Sequence, residues 1–479
     1  MKKGFLLILL LMATTSFAQT VLWNGEDKEA GTDGGFWNRS TPTVVEEDGN
    51  KCLRITLADA ANDWERHNVG LPLGSIDLKG LRRISIRIKM PDAHNVLVKL
   101  GKDGSYTLNR LFWYGEANTW QTLVFDYSVG PDNDKVVDTE NTVLEIWPYE
   151  NYNADNNGKN VYIDDILLEG PMVDGVAVRT LADGSLTGKQ VIVTGSLKKG
   201  NYQNTWDGDW HTEAYDDYSL LLSKLSRDVC FLNLIGAAVA DGDGPQLRTK
   251  NPNLMILSPV DFFDTDHVIR WDGEKNTTPK LVLDEAYPFY TPIDFHADAV
   301  KVTRNLQTGI NTLCLPFYVG QAEISTNCKI ATYTSSTASA VNFTYTDHAD
   351  ANIPFLATAV DAAVTELNFT DKGIVNTPES LGAPFAGIYT PQSATGKYGI
   401  NDDGKFQEGG SSATINSFHA LLTTIPAGAR EVTFNNGTGI SNLSIKNPTQ
   451  TIYNLNGVRV NKLSNKGIYI INGKKVIVK

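Results

Sequence analysis

The chain has 479 residues, of which 41% are hydrophobic and 20% charged, and its formal net charge is −13. That length carries roughly two to four domains with separate cores, and the composition excludes wholesale disorder. The acidic balance repels phosphate backbones and anionic lipid, so neither nucleic acid nor a charged membrane surface is an expected partner.

The N-terminus carries Lys2 and Lys3, an apolar run from Phe5 to Met12, and small residues at Ser16 and Ala18. This is the pattern of a signal peptide over residues 1–18, cut after Ala18. The apolar run is too short to span a bilayer, and no later segment reaches that length. The expectation is a secreted or cell-surface protein with no membrane insertion. The cysteines are Cys52, Cys230, Cys314 and Cys328, without metal-type spacing. A Cys314–Cys328 disulfide and four buried free thiols are both open at this point.

Residues 21–171 read as one β-sandwich. Cys52 to Leu57, Arg83 to Lys89, Val96 to Leu100, Trp120 to Asp126 and Val143 to Trp147 alternate apolar and polar residues. Glycine, asparagine and aspartate separate these runs. Val161 to Glu169 alternates in the same way and stops at Gly170 and Pro171, which predicts a closing strand and a domain edge. Many short alternating strands indicate an antiparallel sandwich or jelly roll.

Three stretches in this order, Trp23 to Glu26, Trp120 to Asp126 and Tyr162 to Ile166, resemble the galactose-binding-like jelly rolls of carbohydrate-binding modules. The resemblance implies a polysaccharide or glycan ligand. It also implies a structural Ca²⁺ near the first and last strands, with Glu26 and Asp165 as its ligands. Sugar recognition needs flat aromatic faces for the C–H side of a pyranose and polar groups for its hydroxyls. The candidate ligand-binding residues are Trp64, Trp113, Tyr114, Trp147, Tyr149 and Tyr152. The last three lead into the polar loop Asn153 to Gly158, and loops at a sandwich edge commonly carry binding.

Residues 171–175 read as a linker into a small α+β segment over 172–287. Gln190 to Thr194 alternates, and Asp216 or Asp217 is placed to cap a short helix through Leu220, Leu221, Leu222 and Leu225. Phe231 to Ile235 and Asn251 to Leu254 follow the helix. In that order the elements resemble the truncated leucine-rich-like unit of exported Bacteroidetes proteins. Trp206, Asp207, Asp209, Trp210 and His211 lie close together, but nothing downstream completes a ligand set, and a polar loop is the expectation. Residues 288–434 are strand-rich again, with Thr332 to Ala340 read as an exposed loop or weak strand. Val300 to Arg304, Gly309 to Phe317, Ile353 to Leu356, Phe385 to Tyr389 and Ser417 to Leu422 resemble, in order, a β-domain of Bacteroidetes surface proteins that precedes a sorting tail.

Residues 440–479 predict two hairpins, one turning at Asn456 and Gly457 and the other at Asn472 and Gly473. Tyr453 to Gly457, Gly467 to Ile470 and the basic end from Lys474 to Lys479 resemble the C-terminal sorting domain of type IX secretion cargo. That resemblance implies export through the secretion machinery. The whole chain therefore reads as mainly β: an N-terminal jelly-roll β-sandwich, a mixed leucine-rich-like segment, a second β-rich domain and a small C-terminal β-sandwich tail. The functional expectation is a non-catalytic carbohydrate-binding protein that captures glycans at the cell surface. The alternative is a structural or adhesive surface protein that binds host or matrix protein. A glycoside hydrolase or lyase would need a carboxylate pair across a cleft, and no recognisable catalytic motif frames one.

Overall fold

A computed structural model describes residues 20–37, 41–57, 67–74, 80–81, 83–102, 105–126, 142–150, 153–205, 207–239, 250–262, 266–360, 362–401 and 403–435, with four further strands between 452 and 478. The expected signal peptide lies outside the described residues. The first ten strands are β1 (Thr20–Trp23), β2 (Thr41–Glu47), β3 (Asn50–Thr56), β4 (Val69–Gly74), β5 (Arg83–Lys89), β6 (His94–Lys102), β7 (Ser105–Tyr114), β8 (Gln121–Asp126), β9 (Thr142–Trp147) and β10 (Asn160–Glu169).

Alternation makes these strands into a sandwich. In β5, Ile84, Ile86 and Ile88 point one way and are fully buried, while Arg83, Ser85, Arg87 and Lys89 point the other. Each such isoleucine contributes about 1.5–3 kcal/mol of burial. One sheet runs β2-β3-β10-β5-β8, with β1 also on β10, and the other runs β4-β9-β6-β7. Val44, Leu53 and Ile86 of the first sheet and Val69, Val98 and Leu144 of the second share one core. The chain crosses repeatedly between the sheets, and every pairing is antiparallel, as a jelly roll requires. The expected closing strand β10 lies inside its sheet, between β3 and β5. A register shift between Asp164 and Leu167 bulges it, and Asp165 takes a positive φ of 44° there.

The expected linker after Gly170 is itself a strand. Pro171–Val173 pairs with Gln190–Leu197, and Gly170 N–H donates to Ser196 Oγ at 2.7 Å. A ten-stranded sheet begins here. Gln190–Leu197, Phe231–Asn233, Met255–Leu257 and Val268–Trp271 are parallel neighbours within it. The helix Asp217–Lys224 is capped by Asp216, whose carboxylate accepts from Ser219 N–H at 2.9 Å. The boundary expected at residue 287 does not interrupt the sheet. Asn276–Asp284 pairs in parallel with Phe295–Leu306, and Phe231 and Met255 share a core with Val302 and Phe355. Residues 332–336, read as a loop or weak strand, belong to the strand Lys329–Ser336, which pairs with Val341–Thr346. All four cysteines are free and buried, and burial pushes the Cys314 thiol up to about 12.

The C-terminal residues form a unit of their own. Ile452–Asn454, Arg459–Val460, Gly467–Ile471 and Lys474–Val478 make an antiparallel sheet. Ile471 faces Lys474, the register expected from the Asn472-Gly473 turn, whereas Tyr453 faces Arg459, one residue off the register that a two-residue Asn456-Gly457 turn gives.

A buried ionic cluster joins the sandwich to the segment that follows it. Arg83 is 1% exposed; its guanidinium donates to both Asp217 oxygens, at 3.0 and 2.6 Å, and to Glu169 at 3.3 Å. Lys198 Nζ reaches Glu169 at 2.5 Å, and Ser85 Oγ donates to it at 2.8 Å. Burial alone would raise the Glu169 pKa, but Lys198 and Arg83 hold it below the usual carboxylate range. Removing one partner strands buried charge. Arg83→Met is expected to lower stability by about 3–5 kcal/mol, measured by denaturant unfolding of the full chain.

A second buried group predicts acid sensitivity. His419 Nε2 lies 2.9 Å from Glu285, and its Nδ1 faces Arg304 Nη2 at 3.0 Å, an arrangement that suits a neutral ring. Burial, more than any other cause, holds its pKa below 6.5. The unfolded chain therefore takes the proton first, so stability present above 6.5 is lost as pH falls. Melting temperatures measured between about pH 7 and pH 5 should decline in the wild type and decline less steeply in His419→Gln.

Candidate functional site

The outer face of the four-stranded sheet gathers the polar and aromatic residues of the sandwich into cross-strand rows. Gly70 faces Glu145, Glu145 faces Lys99, and Lys99 faces Asn109. In the next row Trp147 faces Leu97, and Leu97 faces Leu111; beyond it Asn95 faces Trp113. Alternation turns all of these away from the core, because Val96, Val98, Leu100, Leu144 and Ile146 between them are fully buried.

Trp37 reaches this face from the loop after β1. Its N–H donates to Gly70 O at 2.8 Å, and a Cβ on Gly70 would come within 2.4 Å of the indole ring. Only glycine lets the ring lie there. Asn68 Nδ2 donates to Glu145 Oε1 at 2.5 Å, and Asn95 Nδ2 donates to Glu150 Oε2 at 3.0 Å. The Lys99 ammonium sits 4.5 Å over the Trp147 ring. Asn68 Oδ1 and Trp147 Nε1 are buried and have no hydrogen-bond partner among the described residues, an arrangement proteins avoid unless something else supplies the bond. Trp113 is 54% exposed, and its indole folds back over Gly115. The face thus offers one open aromatic plate, amides, a cation and unpaired polar atoms. Such a set can stack on a pyranose and bond its hydroxyls.

The residues expected at the site fall into distinct places. Trp113 and Trp147 share this face, but Trp147 is half-buried with Lys99 over its ring, so only Trp113 presents a free platform. Tyr114 and Tyr149 are corrections: they are 0% and 1% exposed and belong to the sandwich core. The Tyr114 hydroxyl donates to Thr119 O at 2.7 Å, and that of Tyr149 donates to Asp92 Oδ2 at 2.9 Å. Neither ring can reach a ligand. Trp64 and Tyr152 lie outside the described residues. Trp37, Asn68, Lys99, Asn109 and Glu145 were not anticipated. Lys99 and Glu145 each stand between two buried apolar residues, Val98 and Leu100 or Leu144 and Ile146, and that was their signal, whereas nothing local marks Trp37.

The opposite face, on the six-stranded sheet, is closed by its own pairs. Lys89 bridges Glu47 at 2.9 Å and Asp48 at 2.8 Å, and Arg87 stacks 4.5 Å over Trp120. The Ca²⁺ expected at Glu26 and Asp165 meets the same obstacle. Asp165 Oδ1 accepts from Asn24 at 2.7 Å, and Arg87 Nη1 lies 3.4 Å from both Asp164 and Asp165. Asn50 Nδ2 and Gly25 N–H complete Asp164, at 2.5 and 3.2 Å. Glu26 Oε1 accepts from Lys51 N–H at 2.8 Å. N–H donors and a guanidinium stand where a cation would bind, so these residues do not fit Ca²⁺. Burial first, and then Asp164, raise the Asp165 pKa. Among the described residues, no three acidic, histidine or cysteine side chains gather as a metal set.

No family model and no curated protein matches the chain. Among solved structures it is similar to a family 11 carbohydrate-binding module of a cellulosomal cellulase of Clostridium thermocellum, at 14% identity and a TM-score of 0.23, covering 32% of this chain and 95% of that one. It is similar to a cellulose-specific family 28 module at 12% identity and a TM-score of 0.24, covering 32% and 95%. A family 29 module complexed with mannohexaose gives 13% identity and a TM-score of 0.20, covering 32% and 91%. Scores of this size leave what those modules bind a property of those modules.

Proposed function

We propose that this is an exported, non-catalytic glycan-binding protein that captures polysaccharide on the outer face of its four-stranded sheet. The observation that carries the reading is Trp113, a large ring left 54% exposed at the rim of a face that also carries amides, Lys99, the buried carboxylate of Glu145 and the half-buried rings of Trp37 and Trp147. A lone exposed tryptophan is ordinary on a protein surface, as Trp210 and Trp271 show here, and it is the polar company of Trp113 on one sheet face that marks it. Trp113 is the stacking platform, Asn95 and Asn109 bond hydroxyls, and Lys99 bonds ring or hydroxyl oxygens while it shields Trp147. The N-terminal signal pattern and the paired C-terminal hairpins support delivery to the cell surface through a type IX route.

Titration calorimetry of the full chain against plant, host and microbial polysaccharides tests this. One class should bind, and Trp113→Ala should weaken it about tenfold or more, equivalent to about 1.4 kcal/mol. Chelator should leave binding unchanged, because Arg87 rather than a metal neutralises Asp164 and Asp165. Binding to none of the polysaccharides would overturn the reading in favour of a protein-docking surface.

A further inference from the structure

The sandwich has an open side where β7, the edge of one sheet, runs beside β8, the edge of the other. A hairpin from the next segment spans it. Its strands are Lys199–Asn204 and His211–Asp216, and it is joined to β7 by two backbone bonds between Leu111 and Thr205, at 3.0 and 3.1 Å. Residues 207–210 of the expected polar loop form the tip of this hairpin, where His211 Nε2 rests 3.0 Å from Asp207; Trp206 lies outside the described residues. Between hairpin and sandwich lies a cleft of about 420 Å³. Trp113, Gln121, Thr122, Asn201, Gln203 and Thr212 line it, over a floor that includes buried Tyr202.

Two features of this cleft point to a ligand class. None of the residues lining it carries a charge, in a chain whose net charge is −13. Its polar groups are amides and hydroxyls, which donate and accept equally and so suit sugar hydroxyls rather than a carboxylate or phosphate. Thr122, Asn201 and Gln203 are exposed, and Gln203 Nε2 donates across the hairpin to Thr212 Oγ1 at 3.3 Å, which leaves its amide oxygen to a ligand. The cleft is also continuous with the sheet face, because Trp113 belongs to both.

We propose that the hairpin completes a composite site, in which an uncharged polysaccharide lying on the sheet face passes over Trp113 and into this cleft. The inference rests on the glycan reading above and adds to it the ligand's neutrality, its extended length and a contribution from outside the sandwich. Asn201 and Gln203 are then specificity-determining residues for chain length.

The test uses the full chain with disaccharides and hexasaccharides of β-1,4-linked glucose and mannose, and with a hexasaccharide of galacturonic acid as the charged counterpart. The wild type should bind a neutral hexasaccharide more tightly than its disaccharide and should reject the charged one. In Asn201→Ala/Gln203→Ala the ratio of hexasaccharide to disaccharide affinity should fall about fivefold or more. Both positions are exposed, and an unchanged melting temperature would show that the hairpin remains folded. A ratio that stays at the wild-type value, or equal binding of the charged hexasaccharide, would overturn the composite site while leaving glycan binding intact. Failure of the wild type to bind any of these sugars would overturn both readings.

Discussion

Arg83 is the charge around which two parts of the molecule are joined. It stands on the outward side of β5, where a solvent-facing residue would be expected, yet it is 1% exposed. Asp217 opens the helix after the hairpin, Glu169 ends β10, and both carboxylates converge on the same guanidinium. Tyr215, on the returning strand of the hairpin, lies under it at 4.2 Å. A buried charge of this kind is costly unless every partner is present. Its geometry therefore holds the base of the hairpin against one sheet, while the Leu111–Thr205 bonds hold the other end against the second. The edge cleft exists because both attachments are made. Covering β7 also removes an exposed strand edge, which would otherwise invite pairing with another chain.

The same logic distinguishes the two sheet faces. On the six-stranded sheet, Arg87, Lys89, Glu47, Asp48, Asp164 and Asp165 satisfy one another, and Arg83 is covered. On the four-stranded sheet the pairing is incomplete. Among the described residues Asn68 Oδ1 and Trp147 Nε1 have no partner, and Trp113 is 54% exposed. An unsatisfied buried polar atom costs about 1–3 kcal/mol. Among the described residues the six-stranded face also leaves a buried atom unpaired, Arg54 Nε, so what sets the four-stranded face apart is the exposed ring of Trp113 beside its unpaired atoms.

Much of the scaffold was legible because alternation is a local signal. The buried isoleucines of β5, the closing strand β10, the Asp216 cap and the register of the second C-terminal hairpin follow from residues a few positions apart. The aromatic assignments were less secure because burial is not local. Tyr149 sits beside polar sequence, but Asp92 is the partner of its buried hydroxyl rather than the sign of a surface, and Tyr114, at the end of the apolar run Leu111 to Trp113, spends its hydroxyl on backbone carbonyls. Trp37 carries no local signal, because its place on the sheet face depends on Gly70, which only the folded chain brings beneath it. The linker assigned to residues 171–175 failed for a related reason. Gly170 and Pro171 do mark a turn out of the sandwich, but Val173 finds a strand partner in Val193 that no short-range pattern announces.

The central claim is that ligand binds on the four-stranded sheet with Trp113 at the rim. A crystal structure of the full chain with a bound oligosaccharide tests it most directly. The predicted result is a sugar ring stacked on Trp113, with hydroxyls within hydrogen-bond distance of Asn95, Asn109 or Lys99. Sugar bound instead over Trp120 and Tyr162 on the opposite sheet, or at the loop 153–158 with Trp113 uncovered, would contradict it.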